Sequence, residues 1–347
     1  MAIPDWRFRV KQRAEVHQDP ANTEFFAQQD VAERLVREAA QNTLDATREG
    51  EVARLCLTLN TATVAAWQPY FKSLWPHLEA QPELRVALPD PTEPIHCLLV
   101  EDFGTTGLTG PLEPEDRKAA EKDEKAHRLF WFFKNIGRTS KTGEQLGSFG
   151  IGKTVFPYSS KINSFFGYSV RNSASSGRSI VLLGQSQLRE HRLGDSGDFD
   201  PFGFFAWHEG EGVDYLQREV SEPAELDCFR LQFGLRRKND EPGLSVVIPY
   251  PEAGLTRKDL TRAAITQFFF PILSGQLIIE IHAGSALILS ADTLLDAIAE
   301  NEWKEGEADQ LRQSDHNENQ KQPRRCGASV RCRPRRSSRT SPPSAIH

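Results

Sequence analysis

The sequence predicts an α/β chain, on two observations. An amphipathic helical stretch near residues 30–48 lies beside short apolar runs bounded by turn signals, and strand-like runs recur from 161 to 248. Hydrophobic residues make up 38% of the 347, ample for one sizeable core or two smaller domains.

Taken in order, Trp6 to Val10 (WRFRV) alternates apolar and polar residues and reads as a short strand. A helix is expected from about Asp30 to Arg48, with Asp30 as N-cap, Glu33 three residues on, and Val31, Leu35, Ala39 and Leu44 on its apolar side. Leu55 to Leu59 suits strand or helix equally. Ile95 to Val100 is a short apolar run ending in Glu101 and Asp102, as expected of a buried strand that delivers a carboxylate at its tip. Gly104 to Leu146 is polar, charged and glycine-punctuated, with helix expected from about Glu115 to Asn135. Strand-like runs follow as INSFFGYSV, RSIVLLGQSQL, FGFFAW, FRLQF and LSVVIPY, separated by turn clusters such as Asn172–Gly177 and Gly194–Asp200. A helix (Arg257 to Phe270), two strands (Gln276 to Ile281, Ala286 to Leu289) and a short helix to about Trp303 complete the reading.

Several function classes become less attractive on composition. The net charge of −6 gives no bulk attraction to nucleic acid. The five cysteines are odd in number, scattered and without a CxxC pair, which argues against a disulfide framework or a zinc site and suits a reducing cytoplasm. The first residues, MAIPDWRFRV, lack the layout of a signal peptide. Ala263 to Ile279 carries no charge but contains Gln267, Pro271 and a Ser274–Gly275 turn signal, and it falls short of the roughly 20 residues of a spanning helix. It reads as helix end, turn and strand, with no membrane partner. From about Glu305 apolar periodicity is lost, and Arg324–Arg339 is dense in arginine, serine and proline. Disorder is expected there, as a solvated tail or a basic segment touching acidic partners.

Three segments carry candidate chemistry. Glu38, Asn42 and Asp45 lie at i, i+4 and i+7 and share one helix face, in the context REAAQNTLDA. Alone, such a stripe is compatible with an ordinary solvated face. Asp102 stands at a strand tip before Gly104 and Gly107, where a carboxylate can accept a hydrogen bond from an exocyclic amine, as on adenine. Glycines there allow close backbone approach to a ligand. Gly147 to Thr154, GSFGIGKT, is a glycine turn whose amides suit phosphate. It also satisfies the P-loop pattern, but the preceding GRTSKTGEQL is no buried strand, as a P-loop requires.

Together and in this order, the segments resemble the GHKL superfamily of gyrase ATPase subunits, large heat-shock chaperones, histidine kinases, MutL and MORC. Glu38, Asn42, Asp45 and Ala46 match its motif E-x3-N-x2-D-A. Asp102 and Gly104 match D-x-G-x-G, with one extra residue before Gly107 (DFGTTG). Gly147, Gly150 and Gly152 match G-x-x-G-x-G, and Gly243–Leu244–Ser245 resembles a fourth motif with serine in place of threonine.

The resemblance implies a two-layer α/β sandwich over about residues 1–250, with a lid at about 108–146. A partial transducer-like α/β segment at 251–303 and a disordered tail at 304–347 would follow. It implies Glu38 as general base, Asn42 as Mg²⁺ ligand, Asp45 bound through water or bracing the helix, and Asp102 reading adenine. Backbone amides of Gly150, Ile151, Gly152 and Lys153 would hold the phosphates of ATP, and Ser245 would stand near the nucleotide. Arg138, Thr139 and Ser140 are further phosphate candidates. A histidine kinase is disfavoured, because none of the nine histidines sits on an upstream helix pair. The expected function is Mg²⁺-dependent ATP hydrolysis driving lid closure and homodimerisation. That switch would gate a partner, with DNA restriction, repair or phage defence as the settings the resemblance implies. A chaperone-like ATPase acting on proteins and a P-loop NTPase using GSFGIGKT are the alternatives.

Overall fold

The computed structural model describes residues 3–11, 30–81, 88–134, 154–171, 180–210 and 215–300. Its elements run β1 (Asp5–Val10), α1 (Val31–Ala46), β2 (Ala53–Ala62), α2 (Trp67–Tyr70), α3 (Trp75–Glu79), β3 (Ile95–Phe103), α4 (Arg117–Ala120) and α5 (Arg128–Phe133). They continue with α6 (Val155–Tyr158), β4 (Ser164–Val170), β5 (Ile180–Gln187), β6 (His191–Arg192), β7 (Asp198–Glu209) and β8 (Leu216–Arg218). Last come α7 (Pro223–Phe233), β9 (Gly243–Pro249), α8 (Arg257–Leu273), β10 (Leu277–Ala283), β11 (Ser285–Leu289) and α9 (Leu294–Glu300).

The protein is mixed α/β. Eleven described strands form one sheet in the order β1-β7-β5-β4-β9-β3-β2-β10-β11, with β6 and β8 attached to β7. The sheet is mixed because β10 runs parallel to β2 while the other named pairs are antiparallel. Leu55 to Leu59, undecided from sequence, is strand: Leu55, Leu57 and Leu59 pair with Asp102, Val100 and Leu98. The segment after 251 contributes β10 and β11 to this same sheet, and residues 1–303 group as one compact unit. The expected disordered tail, 304–347, lies outside the described residues.

Strand side chains alternate between faces, which sorts the core. On one face Leu99, Cys97 and Val247 join Phe229 and Phe233 of α7 and Tyr70, Phe71, Trp75 and Leu78 in a single buried cluster. On the other, α1 packs on β2 and β3, α8 packs on α1 and β10, and α6 packs on β4. Helices therefore lie against both faces of the sheet.

The run FRLQF, read as strand from its alternation, is the C-terminal half of α7. Pro223 opens that helix and Gly234, with φ +67°, closes it in the left-handed region. Leu226, Phe229 and Phe233 are buried at helical spacing, while Leu231, the middle residue of the apparent alternation, is 69% exposed. The helix expected over 115–135 is two short ones, α4 and α5. Phe130 to Phe133 are buried, and the Phe133 ring stacks on Phe165 of β4 at 5.8 Å. This described part of the expected lid is thus tied to the sheet. The Trp6–Val10 strand pairs with β7 of its own chain and buries Trp6 and Phe8.

Candidate functional site

Helix α1 starts where Asp30 accepts hydrogen bonds from the amides of Ala32 (2.9 Å) and Glu33 (3.2 Å). The other Asp30 oxygen pairs with Arg262 of α8 at 2.8 Å. Leu35, Val36, Ala39 and Ala40 are buried, which fixes the rotation of the helix. The opposite stripe leaves Glu38 and Asn42 half-buried and Asp45 exposed. Asn42 Nδ2 donates to Glu38 Oε1 at 3.1 Å. That bond orients the amide, and Asn42 Oδ1 accepts no hydrogen bond from a described residue.

The C-terminal end of α1 is stitched to the loop that follows β3. Thr106 N donates to Ala46 O at 3.1 Å, Arg48 N to Gly104 O at 2.9 Å, and Thr47 bridges Thr105. The first two motif segments are therefore neighbours in space. Arg128 of α5 clamps the junction, donating to Thr106 Oγ1 (2.7 Å) and to the Asp45 carbonyl (3.0 Å). Gly107 has φ +71°, and a Cβ there would collide with the Val170 carbonyl and come within 2.9 Å of Ser169 Oγ. Close approach is indeed why glycine stands here, but the approach is to the chain's own backbone rather than to a ligand.

Asp102 is 8% exposed. Period-two alternation places it with Val100 and Leu98 on the α1 face. Its Oδ1 accepts from Thr105 Oγ1 (2.6 Å), Leu244 N (2.7 Å) and Arg237 Nη2 (3.5 Å). Its Oδ2 takes no hydrogen bond from any described residue. Burial pushes the Asp102 carboxyl up, while the Arg237 charge, Thr105 and Leu244 oppose the shift. Every donor among the described residues acts on Oδ1, which leaves Oδ2 facing away from them.

Arg237 is fully buried. It also donates to the carbonyls of Glu241 (3.1 Å), Pro242 (3.0 Å) and Leu244 (2.8 Å), and to the Asp102 carbonyl. Gly243, with φ +146°, makes room for it: a Cβ there would run into Arg237 Nη1 and lie 2.5 Å from Asp102 Oδ1.

Ser245 is not beside Asp102 on the α1 face. It pairs with Glu101, so both side chains point to the α7 face. Its hydroxyl donates to Glu101 Oε1 at 2.8 Å and accepts from Arg237 Nε at 2.9 Å. Glu101 takes the Arg236 and Arg237 amides as well, at 3.2 and 3.3 Å.

Arg138, Thr139, Ser140, Gly147, Gly150, Ile151, Gly152 and Lys153 lie outside the described residues. Helix α6, which begins at Val155 directly after them, packs against α1. Sequence reasoning missed Arg237, Arg128 and Thr105. Nothing in the arginine pair within LRRKNDEPG, or in a charged helical stretch, signals a buried partner for Asp102. Compared with known proteins, the chain matches no protein-family model and no curated protein sequence.

Proposed function

We propose that the face formed by Glu38, Asn42 and Asp102 binds ATP with Mg²⁺ and hydrolyses it, in a GHKL-type sandwich made by the sheet and the α1–α8 layer. The observation that carries this reading is the asymmetric Asp102 carboxylate. One oxygen is held by three donors, and the other is left to accept an amine. Adenine presents such an amine and guanine a carbonyl, so this acceptor selects ATP over GTP.

Asn42 Oδ1 is a hard oxygen that accepts no hydrogen bond from a described residue, and it fits Mg²⁺. The ion, when bound, neutralises phosphate charge. Glu38, oriented by Asn42 Nδ2, takes a proton from the attacking water. Asp45, exposed one turn on, reaches the site through water. The phosphate-binding role proposed for Gly147–Lys153 rests on the motif pattern alone. ATP-dependent homodimerisation, gating a DNA-processing partner, extends the proposal by resemblance alone.

The test is a competition titration on the wild-type chain, which needs no variant to fold. ATP is expected to displace a fluorescent adenine nucleotide, and GTP to compete weakly. Asp102→Asn should weaken ATP by about 1.5–3 kcal/mol, the range for a hydrogen bond to a charged group. Equal affinity of the wild type for ATP and GTP would remove Asp102 as the base reader.

A further inference from the structure

A second cluster lies on the α7 face of the sheet, remote in chemistry from the proposed nucleotide site. Strands β2 and β10 run parallel with Glu280 opposite Cys56, and His282 follows two residues on, on the same face. Cys56 Sγ, a Glu280 carboxylate oxygen and a His282 ring nitrogen all lie within 4.8 Å of one another. Two hydrogen-bonded strands hold all three donors, so their spacing is set by backbone rather than by loop conformation.

A cation already stands among them. Arg236 Nη1 meets Cys56 Sγ at 3.0 Å, Glu280 Oε2 at 3.4 Å and His282 Nε2. His282 Nε2 also lies 3.0 Å from Glu280 Oε2. A neutral imidazole nitrogen either accepts from the guanidinium or donates to the carboxylate; it does not do both. The lone pairs of sulfur, nitrogen and oxygen thus converge on one guanidinium nitrogen, whose two N–H groups cannot serve all three. Arg236 follows α7, and its side chain is 42% exposed, so it has room to leave.

We propose that Cys56, Glu280 and His282 form a site for a thiophilic divalent metal such as Zn²⁺, and that Arg236 is the cation it displaces. Sulfur, nitrogen and carboxylate donors are the set zinc takes, and three protein ligands leave a fourth position open. Binding replaces the Cys56 S–H bond by a metal–sulfur bond and releases that proton to solvent, so no oxidant or reductant is required.

Co²⁺ titration of the full chain, followed by absorption, tests this. The expected result is a thiolate-to-cobalt charge-transfer band at one ion per chain, reversed by added Zn²⁺. Cys56→Ser should abolish the band. His282→Ala should weaken affinity by more than the roughly 10–100-fold that loss of an outer-shell partner costs. Arg236→Ala should bind more tightly than wild type, the opposite of what a merely structural arginine would give. Because Arg236 is half in solvent, that variant remains informative if a substitution at buried Cys56 fails to fold. Absence of the band in both wild type and Arg236→Ala, or a band that survives Cys56→Ser, would overturn the assignment.

Discussion

Arg237 holds Asp102 at both its carboxylate and its backbone, with Nη2 at 3.5 Å from Oδ1 and a hydrogen bond to the Asp102 carbonyl. The pair is desolvated, so its two members are worth little apart. Arg237→Ala would leave a carboxylate buried without its partner, at a cost of about 3–5 kcal/mol. Urea unfolding would read this as a lower midpoint. Arg237→Lys should recover only part of the loss, because an ammonium cannot replace a fork that also serves three other carbonyls. A midpoint unchanged in Arg237→Ala would mean that Asp102 is not held this way.

Gly243 supports the same pair by lacking a side chain. Its φ of +146° strains any other residue, and a Cβ would press on both Arg237 and Asp102. Gly243→Ala should therefore destabilise by about 1–3 kcal/mol from backbone strain, with the collision added. Since the collision is with the Arg237 head group, Gly243→Ala and Arg237→Ala should combine less than additively. Strict additivity in a double-mutant cycle would separate the glycine from the arginine.

Much of the fold was legible because its signals are local. Asp30 caps α1 as read, and the uncharged stretch at 263–279 resolves into helix, turn and strand at Ser274–Gly275. No helix among the described residues is long and apolar enough to cross a membrane. The Glu38–Asn42 pair was legible as well, since spacing on a helix determines which residues meet. FRLQF was misread because a five-residue window shows alternation without showing that Pro223 and Gly234 bracket a helix. That Ser245 and Asp102 stand on opposite faces was illegible because motif spacing does not report strand register, and register alone decides which face a hydroxyl occupies. Arg237 was illegible because its contacts with Asp102 span the chain between β3 and β9.

Glu38 and Asn42 meet at 3.1 Å, yet their proposed roles differ. A general base acts in the transition state rather than in ground-state binding. Glu38→Ala is expected to keep ATP affinity and lose about 10²–10⁴ in hydrolysis rate. Asn42→Ala should instead weaken binding in Mg²⁺ and leave Mg²⁺-free binding unchanged. Isothermal titration with and without Mg²⁺, beside phosphate-release kinetics, distinguishes the two. Wild-type turnover by Glu38→Ala would end its assignment as base.

The last expectation concerns acid stability and a pair that sequence reading did not notice. His77 Nδ1 and His191 Nε2 lie 2.8 Å apart, and both residues are buried. His191 Nδ1 is 2.8 Å from the Arg189 carbonyl, which only accepts, so the His191 proton sits on Nδ1. Its Nε2 is then the acceptor, and His77 donates from Nδ1. Phe8 stacks on His77 at 4.3 Å and Phe199 packs edge-on at 5.1 Å, leaving little room for water. Burial, and secondarily the neighbouring His191, push His77 down to about 4, and burial lowers His191 too. Both rings are neutral in the fold and gain protons more readily in the unfolded chain. Their contribution is thus full above the unfolded value near 6.5 and is lost as pH falls toward about 4. It should amount to about 2 kcal/mol for His77, allowing for partial solvation of the ring. His77→Gln keeps an amide donor for His191 and removes one titrating ring. Its unfolding free energy should fall less steeply than that of the wild type between pH 6.5 and 4, with the carboxylate contribution common to both. Parallel curves for the two proteins across that window would show that the histidine pair does not titrate on unfolding.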